Sequence, residues 1–204
     1  MKNVELETER LVLRQWRIED FETYEKMCAD EECMRYIGGK ALTRIEAWRH
    51  MAYLIGHWEL LGYGHFAVEE KVSGKFAGRI GFLNPAGWPA FEIGWTLARE
   101  FWGKGYAIEG ARQALAYAFN ELDQPHVISL IHPENKASMR VAEKLGEKVE
   151  GQTEVLGIPV LIFGIDRPAD VSSYKYTAAH RSFATSLFRR ARGSLRVPRT
   201  LEVG

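Results

Sequence analysis

The hydrophobic and polar positions along the chain change period several times, and each change marks an element. Arg10–Trp16 alternates as a strand with Leu11 and Leu13 on one face, and Ile18–Cys28 follows with Phe21, Tyr24 and Met27 at helical spacing. Thr43-Arg-Ile-Glu46 is a capping box, which predicts a helix running to Leu61 and ending at Gly62. Its aromatic stripe, Trp48, Tyr53 and Trp58, reads as packing. Three strand-like runs come next, His65–Glu70, Phe76–Leu83 and Phe91–Leu97, separated by the turn segments KVSGK and NPAGWP. Such short connections predict an antiparallel meander. Gly103–Gly105 opens a helix with Ile108, Ala111, Leu115, Ala118, Phe119 and Leu122 on one face. His126–Ile131 is a buried strand, Lys136–Leu145 a helix closed by Gly146, and strands near 148–155 and 159–166 complete the body. The order βααβββαβαββ predicts an α+β fold with a mixed sheet, and no repeat is visible.

At 204 residues the chain holds one full domain with an appendage. With 46% hydrophobic and 26% charged residues it is not disordered throughout. Lys plus Arg and Asp plus Glu are equal at 27 each, which argues against a broad nucleic-acid or membrane footprint. The neutral sum hides an asymmetry. Residues 168–204 carry a net charge of +5, and residues 1–167 carry −5. The expected organisation is therefore a body over 1–167 and a basic tail over 168–204. The tail is solvated or covers a partner subunit, with a short helix over Ser182–Arg192, and is the one segment basic enough to meet an anionic partner or nucleic acid.

The two cysteines, Cys28 and Cys33, match neither CxxC nor a zinc spacing and read as ordinary thiols of a reducing compartment. No metal site is expected. The first residues lack the apolar core of a secretion signal, and the longest apolar stretch, Val155–Ile165, is interrupted by Gly157, Pro159 and Gly164. A soluble, cytoplasmic protein without membrane contact is the expectation, either monomer or homodimer.

Two segments carry candidate chemistry. In Leu97-Ala-Arg-Glu-Phe-Trp-Gly103-Lys-Gly105-Tyr-Ala107 a strand ends, a Gly-x-Gly turn follows and a helix begins. Unpaired N–H groups and the helix dipole make such a start a site for phosphate or pyrophosphate, and glycine lets the backbone approach it. It is not a dinucleotide fingerprint, since Ile108 stands where the third glycine belongs, nor a P-loop, since Ala98 stands where that motif begins. In Ile131-His-Pro-Glu-Asn135-Lys-Ala-Ser138-Met-Arg140 a buried strand ends and a helix starts, with Asn135 placed to cap it.

Together these segments resemble the GNAT superfamily of acyl-CoA-dependent N-acetyltransferases, over residues 6–167, and most closely its RimJ/RimL branch of ribosomal-protein N-terminal acetyltransferases. The opening Thr8-Glu-Arg-Leu-Val-Leu-Arg14 is similar to that branch's first strand, Glu92-Ile-Gly-Trp-Thr-Leu97 to its fourth, and Trp102-Gly-Lys-Gly-Tyr-Ala-Ile-Glu109 to its acyl-CoA loop. Asn135-Lys-Ala-Ser-Met-Arg-Val-Ala-Glu-Lys-Leu-Gly146 is similar to the helix after the fifth strand. The resemblance implies a mixed sheet of six to seven strands flanked by about four helices. Its fourth and fifth strands splay, with free N–H and C=O groups near Leu97 for the pantetheine amides. Acetyl-CoA is then the co-substrate, with its pyrophosphate on the backbone of Gly103, Lys104, Gly105, Tyr106 and Ala107, Asn135 on the pantetheine and Ser138 near the sulfur.

The implied activity is acetyl transfer to a primary amine by direct attack. Such an amine, with a pKa of about 7.7–8.0 for an α-amine or about 10.4 for a lysine-like one, must lose a proton. Glu92 is the first candidate base, ahead of Glu154 and His132. No cysteine nucleophile is implied. Relatives often place a tyrosine seven residues after the asparagine to meet the leaving thiolate. Here that residue is Ala142, so Ser138 is the remaining hydroxyl. Glu100 stands where Gln or Arg often opens the loop, and Glu147 where the family usually has Phe. Asp30, Glu31 and Glu32 would suit a cationic acceptor. The alternative function is a non-catalytic acyl-CoA sensor or assembly module that meets its partner through the basic tail.

Overall fold

The computed structural model describes residues 4–170 and 177–178, so most of the basic tail, with the helix expected over Ser182–Arg192, lies outside the described residues. The strands are β1 Leu6–Glu7, β2 Leu11–Arg14, β3 His65–Glu70, β4 Phe76–Leu83, β5 Glu92–Leu97, β6 His126–Ile131, β7 Lys148–Val155, β8 Ile158–Asp166 and β9 Thr177–Ala178. The helices are α1 Phe21–Cys28, α2 Glu31–Met34, α3 Arg44–Leu61, α4 Tyr106–Asn120 and α5 Lys136–Leu145. All nine strands form one mixed sheet in the order β7-β8-β6-β5-β4-β3-β2-β1-β9. The fold class is the expected one, with a larger sheet and five helices instead of four. The additions are β1, β9 and α2, so the fourth and fifth strands of the sequence reading are β5 and β6.

Local chemistry sets the element ends. Thr43 caps α3, receiving the N–H of Glu46 while its own N–H donates to Glu46 Oε2 at 2.8 Å. Gly62, in the left-handed region, closes the helix. The central strand β4 is buried on both faces, as its unbroken apolar run requires. Leu11, Leu13, Val68, Ile80 and Ile93 point together onto Ala111, Ala114, Leu115 and Ala118 of α4, forming the main core. On the opposite face Ala67 and Phe76 pack against α1, α2 and α3 through Tyr24, Met27, Met34, Met51 and Leu54. None of the described helices is long and apolar enough to cross a membrane.

The meander β3-β4-β5 is antiparallel as expected, and among the described residues β5 and β6 are the only parallel neighbours. Their pairing is a single bridge, Glu92 with Ile128, after which the strands part. Just past the bridge Ser129 Oγ lies 3.0 Å from Ile93 O and 3.1 Å from Glu147 Oε1. The Ser129 hydroxyl is the donor in both contacts, its one hydrogen shared between Ile93 O and Glu147 Oε1. Glu147 is 3% exposed, and burial pushes its pKa up to about 7, helped by the charges of Glu150 and Glu92 and opposed by the Ser129 hydrogen bond. Its Oε2 has no hydrogen-bond partner among the described residues.

A carboxyl with a raised folded-state pKa binds its proton more tightly when folded. Its contribution is complete below the ordinary pKa of 4.5 and is lost as pH rises through about 7. Relative to Glu147→Gln, which keeps an acceptor oxygen and never ionises, the wild type should lose up to about 3 kcal/mol between these values. Denaturant unfolding of both proteins across pH checks this, and parallel stability profiles would refute it.

Candidate functional site

The parting of β5 and β6 opens a cavity of about 630 Å³ on the α1–α3 side of the sheet. Glu92, His132, Asn135 and Ser138, four residues named from sequence, line it together. Glu92 is the last paired residue before the strands diverge, and its side chain borders the cavity. Its carboxylate accepts from Trp88 Nε1 at 2.6 Å and from the Leu130 N–H. Burial raises its pKa to about 7, against the opposing effects of Trp88, the Arg79 charge and Leu130. It is therefore a carboxyl that exchanges its proton near neutrality, a property found often at reactive sites. Of the weaker candidates, His132 stacks on Tyr36 and accepts the Glu134 N–H, whereas Glu154 does not line the cavity.

Asn135 caps α5, its Oδ1 accepting the Ser138 N–H at 3.1 Å, and the residue lines the cavity. Ala142, at the position where a tyrosine was considered, is fully buried with Ile131 and Phe163.

The Gly-x-Gly turn lies beyond the far end of β5. Gly103 and Gly105 have φ of +73° and +81°, a region that a side chain strains, and Gly105 is the N-cap of α4 without any side-chain cap. The N–H groups of Gly103 through Ile108 have no hydrogen-bond partner among the described residues. Arg10 braces the turn. It donates to Lys104 O at 2.9 Å, pairs with Glu109 and lies over the Tyr106 ring. Tyr106 in turn donates to Glu70 Oε1, and Lys104 Nζ turns back over the Phe101 ring. An uncapped helix start with six open N–H groups beside an arginine fits a phosphate or pyrophosphate.

One expectation needs correction. The Leu97 carbonyl is not free, because it accepts from Trp102 Nε1 at 2.7 Å. Ala98 bonds to Ala77 of β4, so by alternation Trp95, two residues back from Leu97, is the residue whose backbone faces the gap toward β6. The acidic run is also used differently. Asp30 caps α2 and pairs with Arg99, and none of Asp30, Glu31 and Glu32 lines the cavity. Cys28 and Cys33 are buried away from the cavity, and burial pushes both thiols up, Cys33 to about 11.

Sequence reasoning did not single out several cavity residues: Arg79 from β4, His65 from β3, His50 from α3, and Trp88. Both histidines are neutral. Burial, and then the Arg79 charge, depress His50 to about 3 and His65 well below its usual range. Tyr53, read as packing, is a wall residue.

The chain belongs to the GNAT acetyltransferase family. The family model described as the acetyltransferase (GNAT) domain matches residues 10–148. Its class is that of the N-acetyltransferases. The chain is 30% identical to the uncharacterized N-acetyltransferase p20 of Bacillus licheniformis, over 72% of this chain and 83% of that one. It is 45% identical to the uncharacterized protein YkkB of Bacillus subtilis (strain 168), over 42% of this chain and about half of YkkB's length, 52%. Among solved structures, the acetyltransferase from Agrobacterium tumefaciens str. C58 superposes with a TM-score of 0.72 at 28% identity, covering 79% of this chain and 93% of that one.

Trp88→Phe tests the electrostatics of the site directly. Removing a donor to the charged form should raise the Glu92 midpoint above about 7 by about one pH unit. Side-chain carboxyl titration by NMR checks this, and an unmoved midpoint would refute it.

Proposed function

We propose that the chain transfers an acetyl group from acetyl-CoA to a primary amine by direct attack, with Glu92 as the general base. The observation that carries the reading is the position of Glu92: on the cavity wall, at the point where β5 and β6 part, with a pKa near 7. Acetyl-CoA supplies an activated acyl group as its thioester. Gly103 to Ala107 would hold its pyrophosphate through backbone N–H groups, the open Trp95 edge would meet its pantetheine amides, and the Asn135 side chain would donate to the same arm. The amine proton passes to Glu92 as the new C–N bond forms. When the C–S bond breaks, the Ser138 hydroxyl donates a hydrogen bond to the leaving thiolate. Neutral His50 and His65 add no charge that would repel an arriving ammonium. We also read the chain as RimJ/RimL-like, on Thr8–Arg14, which forms the turn after β1 and the strand β2 that pairs with it.

Two outcomes follow. Gly105→Trp should abolish CoA binding by filling the amide turn, and calorimetry giving wild-type affinity would remove the pyrophosphate assignment. Glu92→Gln should lower turnover by about 10²–10⁴-fold while leaving acetyl-CoA affinity in place. Because the base works ionised, wild-type turnover should rise as pH rises through about 7. The deficit of the variant should shrink at high pH, where free amine increases. Equal rates across pH would take Glu92 out of the mechanism, and CoA binding without any turnover would favour the sensor function.

A further inference from the structure

Among the described residues two arginines are buried, and only one of them has an ion-pair partner. Arg14 is 5% exposed. Its guanidinium holds Asp20 through two bonds at 2.7 and 2.8 Å and Glu69 at 2.8 Å. Burial opposes its charge, and those bonds outweigh the burial and hold its pKa above the ordinary value. Arg79 is 7% exposed, in the middle of β4, and no carboxylate lies within ion-pair distance of it among the described residues. Its neighbours are neutral. Nη1 lies 3.0 and 3.2 Å from the two ring nitrogens of His65, and a hydrogen bond links it to Tyr24, whose hydroxyl is 2.6 Å from His50 Nδ1. A guanidinium carries five donors in a planar fork suited to a carboxylate, and a buried cation without an anion is costly.

Arg79 opens into the same cavity as Glu92. Gly94 lies between the His65 ring and Glu92. A side chain there would come within 3.3 Å of the His65 ring and 3.7 Å of Glu92 Oε1, and its absence keeps the floor clear. The one other acidic wall residue, Glu46, is already taken by Thr43 and Lys40. The cavity wall thus carries both a buried guanidinium and a carboxylate.

We infer that the acceptor is a small amine that also carries a carboxylate, bound with its carboxylate on Arg79 and its amine toward Glu92. This rests on the transfer reading above and narrows it, selecting amino-acid-like acceptors over polyamines and aminoglycoside-like polycations. The cavity must also admit the acyl end of the co-substrate, which keeps the acceptor small.

The test uses the CoA-loaded full chain and matched ligands. In calorimetry, N-acetyl amino acids with aromatic, aliphatic and polar side chains are compared with their carboxamides. In a thiol-release assay with acetyl-CoA, the free amino acids are compared with their amides and with the corresponding decarboxylated amines. The carboxylate member should bind and react about tenfold better or more, the strength of a charge-assisted bond. Arg79→Met should erase that preference, and Arg79→Lys should retain part of it. The wild-type comparison needs no variant to fold. Equal treatment within the pairs, no binding of either member, or a preference that survives in a folded Arg79→Met protein would overturn the inference. Carboxylate-selective binding with no thiol release from any amine would uphold the Arg79 site and count against the transfer reading instead.

Discussion

The parting of β5 from β6 after a single bridge is the constraint on which the rest of the site depends. A parallel pair in the middle of a sheet normally continues for the length of its strands, since every abandoned N–H and C=O is a polar group to be satisfied elsewhere. Here the groups nearest the bridge find other partners. Ile93 O takes the Ser129 hydroxyl, the Leu130 N–H turns to the Glu92 carboxylate, and Leu97 O takes the Trp102 indole. The gap is stable because these side chains meet the backbone, and the Trp95 edge between them is left open.

The same gap explains the electrostatics. Glu92 is half-buried and Glu147 buried, each raised to about 7 chiefly by burial, and the Glu92 charge adds to the rise at Glu147. Their positions separate their roles. Glu147 is buried beside Ser129, from whose hydroxyl it accepts, while Glu92 borders the cavity and can exchange its proton with a ligand. Burial is the main cause of the shifts at Glu92, His50 and His65, and the Arg79 charge adds to the lowering of both histidines while opposing the rise at Glu92.

Much of the fold was legible in the sequence where periods are long and ends are marked. The boundaries of β6 at His126–Ile131 and α5 at Lys136–Leu145 match the apolar run and the Gly146 stop. Two-residue strands such as β1 and β9, and the four-residue α2, contain too little pattern to register. Of the site, Glu92, Asn135, Ser138 and the Gly103–Gly105 turn could be named because they sit in contiguous motifs. Arg79, His65 and His50 could not, since their meeting depends on how α1 and α3 lie on the sheet. One signal was present: Arg79 is the only charged residue within the buried run Phe76–Leu83, a place where a charge needs a reason. Glu147 carried a similar signal, a carboxyl at a position that packs beneath the sheet.

The open edge of β5 can be measured one amide at a time. By alternation, Gly94 and Thr96 bond to β4, and Trp95 faces the gap. Amide hydrogen exchange followed by NMR, with and without acetyl-CoA, should show Gly94 and Thr96 protected in both states. The Trp95 amide should exchange rapidly in the free protein and become protected when acetyl-CoA is added. A Trp95 amide as protected as its neighbours in the free protein, or one that acetyl-CoA leaves unchanged, would contradict the parted strands as the acyl-donor site.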